Sequence, residues 1–228
     1  MKVLAIDTAT EACSAALMIN GDIIERFKIA PREHGELILL MIDELLLQAG
    51  ISLQQLDGLA FGCGPGSFTG VRMATGVIQG LAFSSDLPVA PVSTLKALAQ
   101  QAINLSTKGH RVYAALDARM GEVYWCEYKV INGELSACSA EQVIAANKIK
   151  VAGGQKAIGI GHGWETYRDE LTEVVKANEL TVLPNALPRA REIVQLGAEM
   201  LKSEQTVAAE NAMPVYLRDN VAKKKAQQ

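Results

Sequence analysis

With 228 residues, 49% of them apolar and 21% charged, the chain has ordinary globular composition and length enough for two small lobes or one large domain. A net charge of −3 and a pI near 5.7 exclude a protein that grips nucleic acid by bulk basic charge, so any RNA contact is expected to be shared with a partner. No apolar run reaches membrane-spanning length and no leader pattern precedes the first strand, which predicts a cytoplasmic chain with no membrane contact.

In chain order, residues 2–8 read as an apolar strand that ends in Asp7 and Thr8. Strands follow over 13–19 and 23–29, joined by Asn20-Gly21, a dipeptide suited to a tight hairpin turn. A helix is predicted over 36–48, with Gly50 as its stop, then a short buried strand over 59–62. Next come a helix over 70–84 capped by Ser67 or Thr69, a strand over 88–92, and a helix capped by Ser93 or Thr94 that runs to about Ala102. The opening pattern then returns. A basic-led apolar strand over 111–119 carries Asp117, a strand covers 123–130, and Asn132-Gly133 repeats the turn. Two copies of strand, acidic loop, strand and Asn-Gly turn point to a duplicated lobe. Hairpin strands followed by helices and parallel strands, repeated twice, predict the actin-like ATPase (sugar kinase and Hsp70) fold. The expected lobes are residues 1–105 and 106–228, joined over 104–109, with the last helix free to return to the first lobe.

The most informative stretch is Gly62-Cys63-Gly64-Pro65-Gly66-Ser67-Phe68-Thr69-Gly70-Val71-Arg72. Physically it is a strand, a glycine-rich loop and a helix start. Such a loop can hold an anion, but it lacks a GK[ST] ending and meets GxGxxG only loosely. A tight structural turn built on Gly64, Pro65, Gly66 and Ser67 is the better reading. The stretch closely resembles the Gly-Pro-Gly-Ser-Phe-Thr-Gly-Val-Arg signature of the TsaB (YeaZ) family. Ile6-Asp7-Thr8-Ala9-Thr10, Pro31-Arg32-Glu33-His34, the segment from Asp117 to Tyr124, and Pro214-Val215-Tyr216-Leu217-Arg218 resemble its other signatures, in order along the chain.

The resemblance implies a non-catalytic scaffold that binds and stabilises the related catalytic subunit TsaD, and the pair recruits the ATPase TsaE. The assembly transfers threonylcarbamoyl to N6 of adenosine 37 in tRNAs reading codons that begin with A. This chain would meet tRNA only within the complex and would form a homodimer when TsaD is absent. No cofactor and no catalytic residue is implied for the chain itself. TsaD carries a metal on an HxxxH helix, and here the two histidine positions fall on Thr94 and Leu98, which predicts no metal site. Asp7 and Asp117 end their strands where actin-like ATPases place cleft acids, and they are candidate remnants of a nucleotide cleft.

Two rival readings are an autonomous actin-like kinase or ATPase, and a peptidase acting on TsaD. For the second there is no HExxH and no Gly-x-Ser-x-Gly elbow. Cys13, Cys63, Cys126 and Cys138 sit in or beside apolar stretches without metal or redox spacing and are expected as free buried thiols of a reducing compartment.

Helical periodicity marks an interaction surface. Over 36–48, Leu37, Ile38, Met41, Ile42 and Leu45 form the core arc, while Leu40 and Leu47 lie away from it. Over 70–84, Val71, Ala74, Val77, Ile78 and Leu81 form one stripe, and Met73, Gly76, Gly80 and Phe83 form a second at seam spacing. An interior helical glycine costs roughly 1 kcal/mol relative to alanine. Close approach of a partner helix would offset that cost, so Leu40, Leu47, Met73, Gly76, Gly80 and Phe83 are the predicted docking face. The run Lys223-Lys224-Lys225 reads as a solvated tail.

Overall fold

The structure, a computed structural model, describes residues 1–106 and 109–218. The lysine run at 223–225 and part of the predicted join at 104–109 lie outside the described residues.

The first sheet has β1 (Lys2–Asp7), β2 (Ala12–Ile19), β3 (Asp22–Ile29), β4 (Gly58–Gly64) and β5 (Val89–Ser93) in the order β3-β2-β1-β4-β5. The pairs β1/β2 and β2/β3 are antiparallel, while β1/β4 and β4/β5 are parallel. The second sheet has β6 (Arg111–Arg119), β7 (Glu122–Ile131), β8 (Glu134–Ala137), β10 (Lys156–Ile160) and β11 (Glu179–Leu183) in the order β11-β10-β6-β7-β8, with β9 (Gln142–Ala145) paired to β7. Two antiparallel pairs followed by two parallel pairs recur in it. Both hairpin turns place their Asn and Gly at positive φ: 52° and 100° at Asn20-Gly21, and 54° and 82° at Asn132-Gly133. That is the geometry whose twist matches paired strands. The fold is the actin-like one.

The helices are α1 (His34–Ala49), α2 (Phe68–Ser85), α3 (Thr94–Gln100), α4 (Gly163–Thr166), α5 (Arg168–Val175) and α6 (Ala190–Lys202). Parallel neighbours need crossovers, and α1 and α2 supply them in the first sheet. Both cover one face of it, over a core that includes Leu4, Ile6, Leu17, Leu59 and Phe61. The opposite face holds α6, whose Ile193, Val194 and Ala198 pack on Val3, Ala5, Ala60 and Ala90. A Cβ on Gly197 would stand 2.5 Å from Ala60 Cβ, so a glycine is what lets this helix lie against the sheet. The helix after β5 does the reverse. Leu95, Leu98 and Ala99 of α3, with Ala102 beyond it, are buried in the core of the second sheet with Val112, Leu116 and Ile158. Each lobe thus receives a helix from the other half of the chain. On the second sheet's outer face, α4 and α5 bury Trp164, Leu171 and Val175 against Tyr113 and Trp125.

The helix periods needed three corrections. Val77 and Leu81 are only partly buried, and Thr75 and Ala82 take their expected core places. Thr75 is accommodated because its hydroxyl donates to Val71 O of the preceding turn. Leu37 is likewise half-buried.

Candidate functional site

Two surfaces carry the sequence-marked residues. The first is the outer face of α1 and α2. Leu40, Leu47 and Phe83 are 58%, 83% and 86% exposed, and Leu39, which the periodicity did not flag, joins them. Gly76 and Gly80 are exposed, and among the described residues an added Cβ at either would meet nothing within 4 Å. Their role is therefore not packing within the lobe. Met73 is half-buried and bridges the helices, since a Cβ on Gly35 of α1 would lie 3.6 Å from Met73 Cε. The six residues marked by the sequence thus lie on the outer surface of one helix pair, five of them exposed and Met73 at the seam.

The second surface is a cleft of about 880 Å³ between the lobes, lined from the first by Thr10, Arg32 and Ser67 and from the second by Asp117, Arg119 and His162. The glycine-rich loop forms part of its wall. Gly64 sits at φ +108°, and a Cβ there would stand 2.7 Å from Val215 O. Gly66 lies against the β1–β2 turn, where a Cβ would meet Ala9 O at 2.6 Å. Three of the loop's donors are engaged. Gly64 N donates to Thr94 Oγ1 at 3.1 Å, Ser67 N to Ala9 O at 2.8 Å, and Gly70 N to Ser67 Oγ at 3.1 Å. Thr8 Oγ1 in turn donates to Gly70 O at 2.6 Å. These bonds fasten α2 to the first strand turn, as a tight structural turn would.

The two strand-end aspartates differ. Asp117 lines the cleft, where its Oδ1 accepts from Arg119 N at 2.7 Å and from the Tyr167 hydroxyl at 3.3 Å. Its own N–H donates to His162 Nδ1 at 2.9 Å, which leaves the ring proton of a neutral imidazole on Nε2. Asp7, expected as a cleft acid, does not line the cleft. It is fully buried, Oδ1 accepts from Ala9 N at 3.2 Å, and Oδ2 has no partner. Its Oδ2 lies so near Gly62 that a Cβ there would be 2.0 Å away. Burial pushes the Asp7 carboxyl up to about 7.

The positions equivalent to metal-ligating histidines are used otherwise. Thr94 accepts the Gly64 N–H, and Leu98 is fully buried in the second core. Among the described residues no three His, Cys, Asp or Glu side chains converge as a metal site.

Three thiols are buried, and burial pushes Cys13 and Cys126 up to about 11 and Cys63 to about 12, far from the thiolate a nucleophile needs. Cys138 corrects the expectation of four buried thiols. It is exposed at the end of β8, where Arg111 Nη1 donates to its sulfur at 2.6 Å, and its thiol is also raised. Apolar neighbours in sequence did not bury it because β8 is a four-residue edge strand.

Sequence reasoning missed the strap that closes the cleft mouth. Val215 N donates to Cys63 O at 2.7 Å, the Tyr216 ring lies 6.0 Å from Phe68, and Arg218 Nη2 reaches Glu122 Oε2 of the other lobe at 2.6 Å. The available signal was Phe68 and Arg72 at i, i+4: the Arg72 guanidinium lies 3.3 Å from the Phe68 ring centroid.

The duplicated sheets, the exchanged helices and the interlobe cleft define a member of the actin-like ATPase fold class. A family profile described as "TsaD: tRNA N6-adenosine threonylcarbamoyltransferase" matches residues 27–226. The chain is 42% identical to "tRNA threonylcarbamoyladenosine biosynthesis protein TsaB" of Escherichia coli (strain K12), with 99% of this chain and 98% of that one covered. It is 41% identical to the protein of the same name in Haemophilus influenzae, covering 99% and 97%. The solved structure "YeaZ from Pseudomonas aeruginosa" superposes with a TM-score of 0.86 at 40% identity, covering 95% of this chain and 99% of that one. At 11% identity and a TM-score of 0.50, component A of (R)-2-hydroxyglutaryl-CoA dehydratase from Acidaminococcus fermentans shares the fold alone. The chain belongs to the TsaB (YeaZ) family.

Proposed function

We propose that this chain acts in tRNA threonylcarbamoyladenosine biosynthesis as a non-catalytic scaffold. It docks a TsaD-family catalytic subunit on the outer face of α1 and α2, and the pair recruits a TsaE-type ATPase. The observation that carries this reading is the unspent apolar face itself. Leu40, Leu47 and Phe83 stand in solvent beside two helical glycines that no described residue approaches within 4 Å of an added Cβ. An apolar surface with missing side chains at its centre suits another helix. Without the catalytic subunit, the same face would pair two copies of this chain.

The cleft supports the non-catalytic part of the reading. Asp7 is withdrawn beneath the first sheet's end, Gly64 N and Gly70 N are bonded within the protein, and the thiols are raised. The cleft acid Asp117 is already bonded to Arg119 N and the Tyr167 hydroxyl. Mixing the chain with the TsaD-family protein of the same organism and following mass by light scattering tests the reading. A stable heterodimer that displaces the homodimer is expected, with no nucleotide turnover and no cleavage of the partner by this chain alone. Two proteins that elute separately at micromolar concentrations, or turnover by the purified chain, would overturn it.

A further inference from the structure

At the mouth of the cleft, next to the first turn of α2, lies an aromatic platform that the docking face does not use. Phe68 is 57% exposed and Tyr216 is 43% exposed, with their ring centroids 6.0 Å apart. Arg72 stacks on this pair, 3.3 Å from the Phe68 centroid and 5.2 Å from that of Tyr216. The platform is held rigidly. Phe68 begins a helix capped by Ser67, and Tyr216 follows Val215, whose N–H is bonded to Cys63 O. Large aromatic rings kept in water on a fixed backbone are binding surface already ordered for a planar ligand.

The charges around it have one prevailing sign. Arg32 and Arg119 line the same cleft from opposite lobes, at φ 73° and 62°, a left-handed backbone uncommon outside glycine. Among the described residues Arg32, Arg72 and Arg119 have no carboxylate side-chain partner, whereas Arg218 is bonded to Glu122 and Glu33 to Lys28. The opposing acids of the cleft are Glu11 and Asp117, and Asp117 is engaged with Arg119 N and Tyr167. The chain as a whole is net negative, so guanidinium groups without carboxylate partners in the cleft that holds this tilted ring pair are a local feature and not a consequence of composition.

We infer that this platform is a binding surface for single-stranded RNA: an unpaired base stacks on Phe68, Tyr216 and the Arg72 plane while Arg32 and Arg119 meet the flanking phosphates. Single-stranded RNA presents planar rings and flanking phosphates together, and double-stranded RNA offers no free base faces. The inference rests on the tRNA-modification reading above and gives the RNA a place on this chain. Arg72 adjoins Met73 of the docking face, so RNA on the platform would run alongside a partner seated on α1 and α2.

The test uses the assembled pair with the TsaD-family protein, confirmed by light scattering, and fluorescence anisotropy with a tRNA anticodon stem-loop and with an RNA duplex of equal length. Phe68→Ala and Arg72→Ala are each expected to weaken stem-loop binding by about tenfold. Arg32→Ala and Arg119→Ala should each lower the slope of log affinity against log salt by about one. Thermal melts of the variants should match the parent, because all four side chains are exposed. If the pair forms and the Phe68→Ala, Arg72→Ala double variant keeps parental affinity, the platform is not the RNA site. Equal weakening toward the duplex also overturns it. If the pair does not form, the docking reading fails, and the titration is repeated on this chain alone. There, variant-sensitive stem-loop binding supports the platform and no binding overturns it.

Discussion

On the outer face of the first sheet, α1 and α2 leave Leu39, Leu40, Leu47 and Phe83 in water. On the corresponding face of the second sheet, α4 and α5 bury Trp164, Leu171 and Val175, and the exposed side chains of α5 are Arg168, Asp169, Glu170, Thr172 and Glu173. The strand orders match, so the difference is not topological. One lobe finishes its own outer layer, and the other presents a layer that lacks its cover. The strand-end aspartates teach the same lesson at the scale of one residue. Asp117 keeps hydrogen-bond partners at the cleft wall, while Asp7 has an orphaned oxygen below it.

The sharpest way to break this comparison is to place bulk on the unfinished face. Gly80→Leu should lower affinity for a second copy and for the TsaD-family subunit by about a hundredfold or more, through steric clash in a helix contact. The free monomer should keep its circular dichroism and melting temperature, because among the described residues nothing lies within 4 Å of a Cβ there. Parental binding measured by calorimetry would remove α2 from the interface.

The buried carboxyls come next. Burial raises Asp7 and Glu192 to about 7 in the folded chain, above their ordinary 3.8 and 4.5. Between those limits the native state holds protons that the unfolded chain has released. Their contribution is therefore full below about pH 4 and is lost as pH rises to about 7, at roughly 1.4 kcal/mol per unit for each group. Asp7→Asn should flatten this fall, leaving the variant more stable than the parent at pH 8 and close to it near pH 4. Denaturant midpoints measured across that range check the sign, and parallel curves would mean that Asp7 is ionised throughout.

The glycines give smaller effects of opposite sign. Gly64→Ala and Gly66→Ala should each destabilise by about 1–3 kcal/mol, the first through strain at positive φ and contact with Val215 O, the second through contact with Ala9 O. Gly76→Ala, in an open helix interior, should raise the stability of a monomeric background by up to about 1 kcal/mol. Thermal melts of the three variants sharpen the contrast between glycines kept for the loop and glycines kept for a surface. Three similar melts would abolish it.

Local pattern settled much of this protein. The alternation of strand, acid and Asn-Gly turn marked the duplication, and Ser67 and Ser93 marked the starts of α2 and α3, where each hydroxyl accepts a helical N–H. The spare leucines of α1 and the glycine stripe of α2 were legible because a helix fixes which residues share a face. Long-range packing decided the rest. The sequence left the last helix free to return to the first lobe, as α6 does, but nothing near residue 94 says that α3 fills the second lobe's core, because that burial depends on the sheet across the join. Asp7 reads in sequence as the twin of Asp117. It became a buried carboxyl with an orphaned oxygen because folding brings Gly62, distant in the chain, against it and shuts out water. Electrostatic character of this kind depends on the dielectric surroundings that folding creates, and a strand pattern carries no record of them.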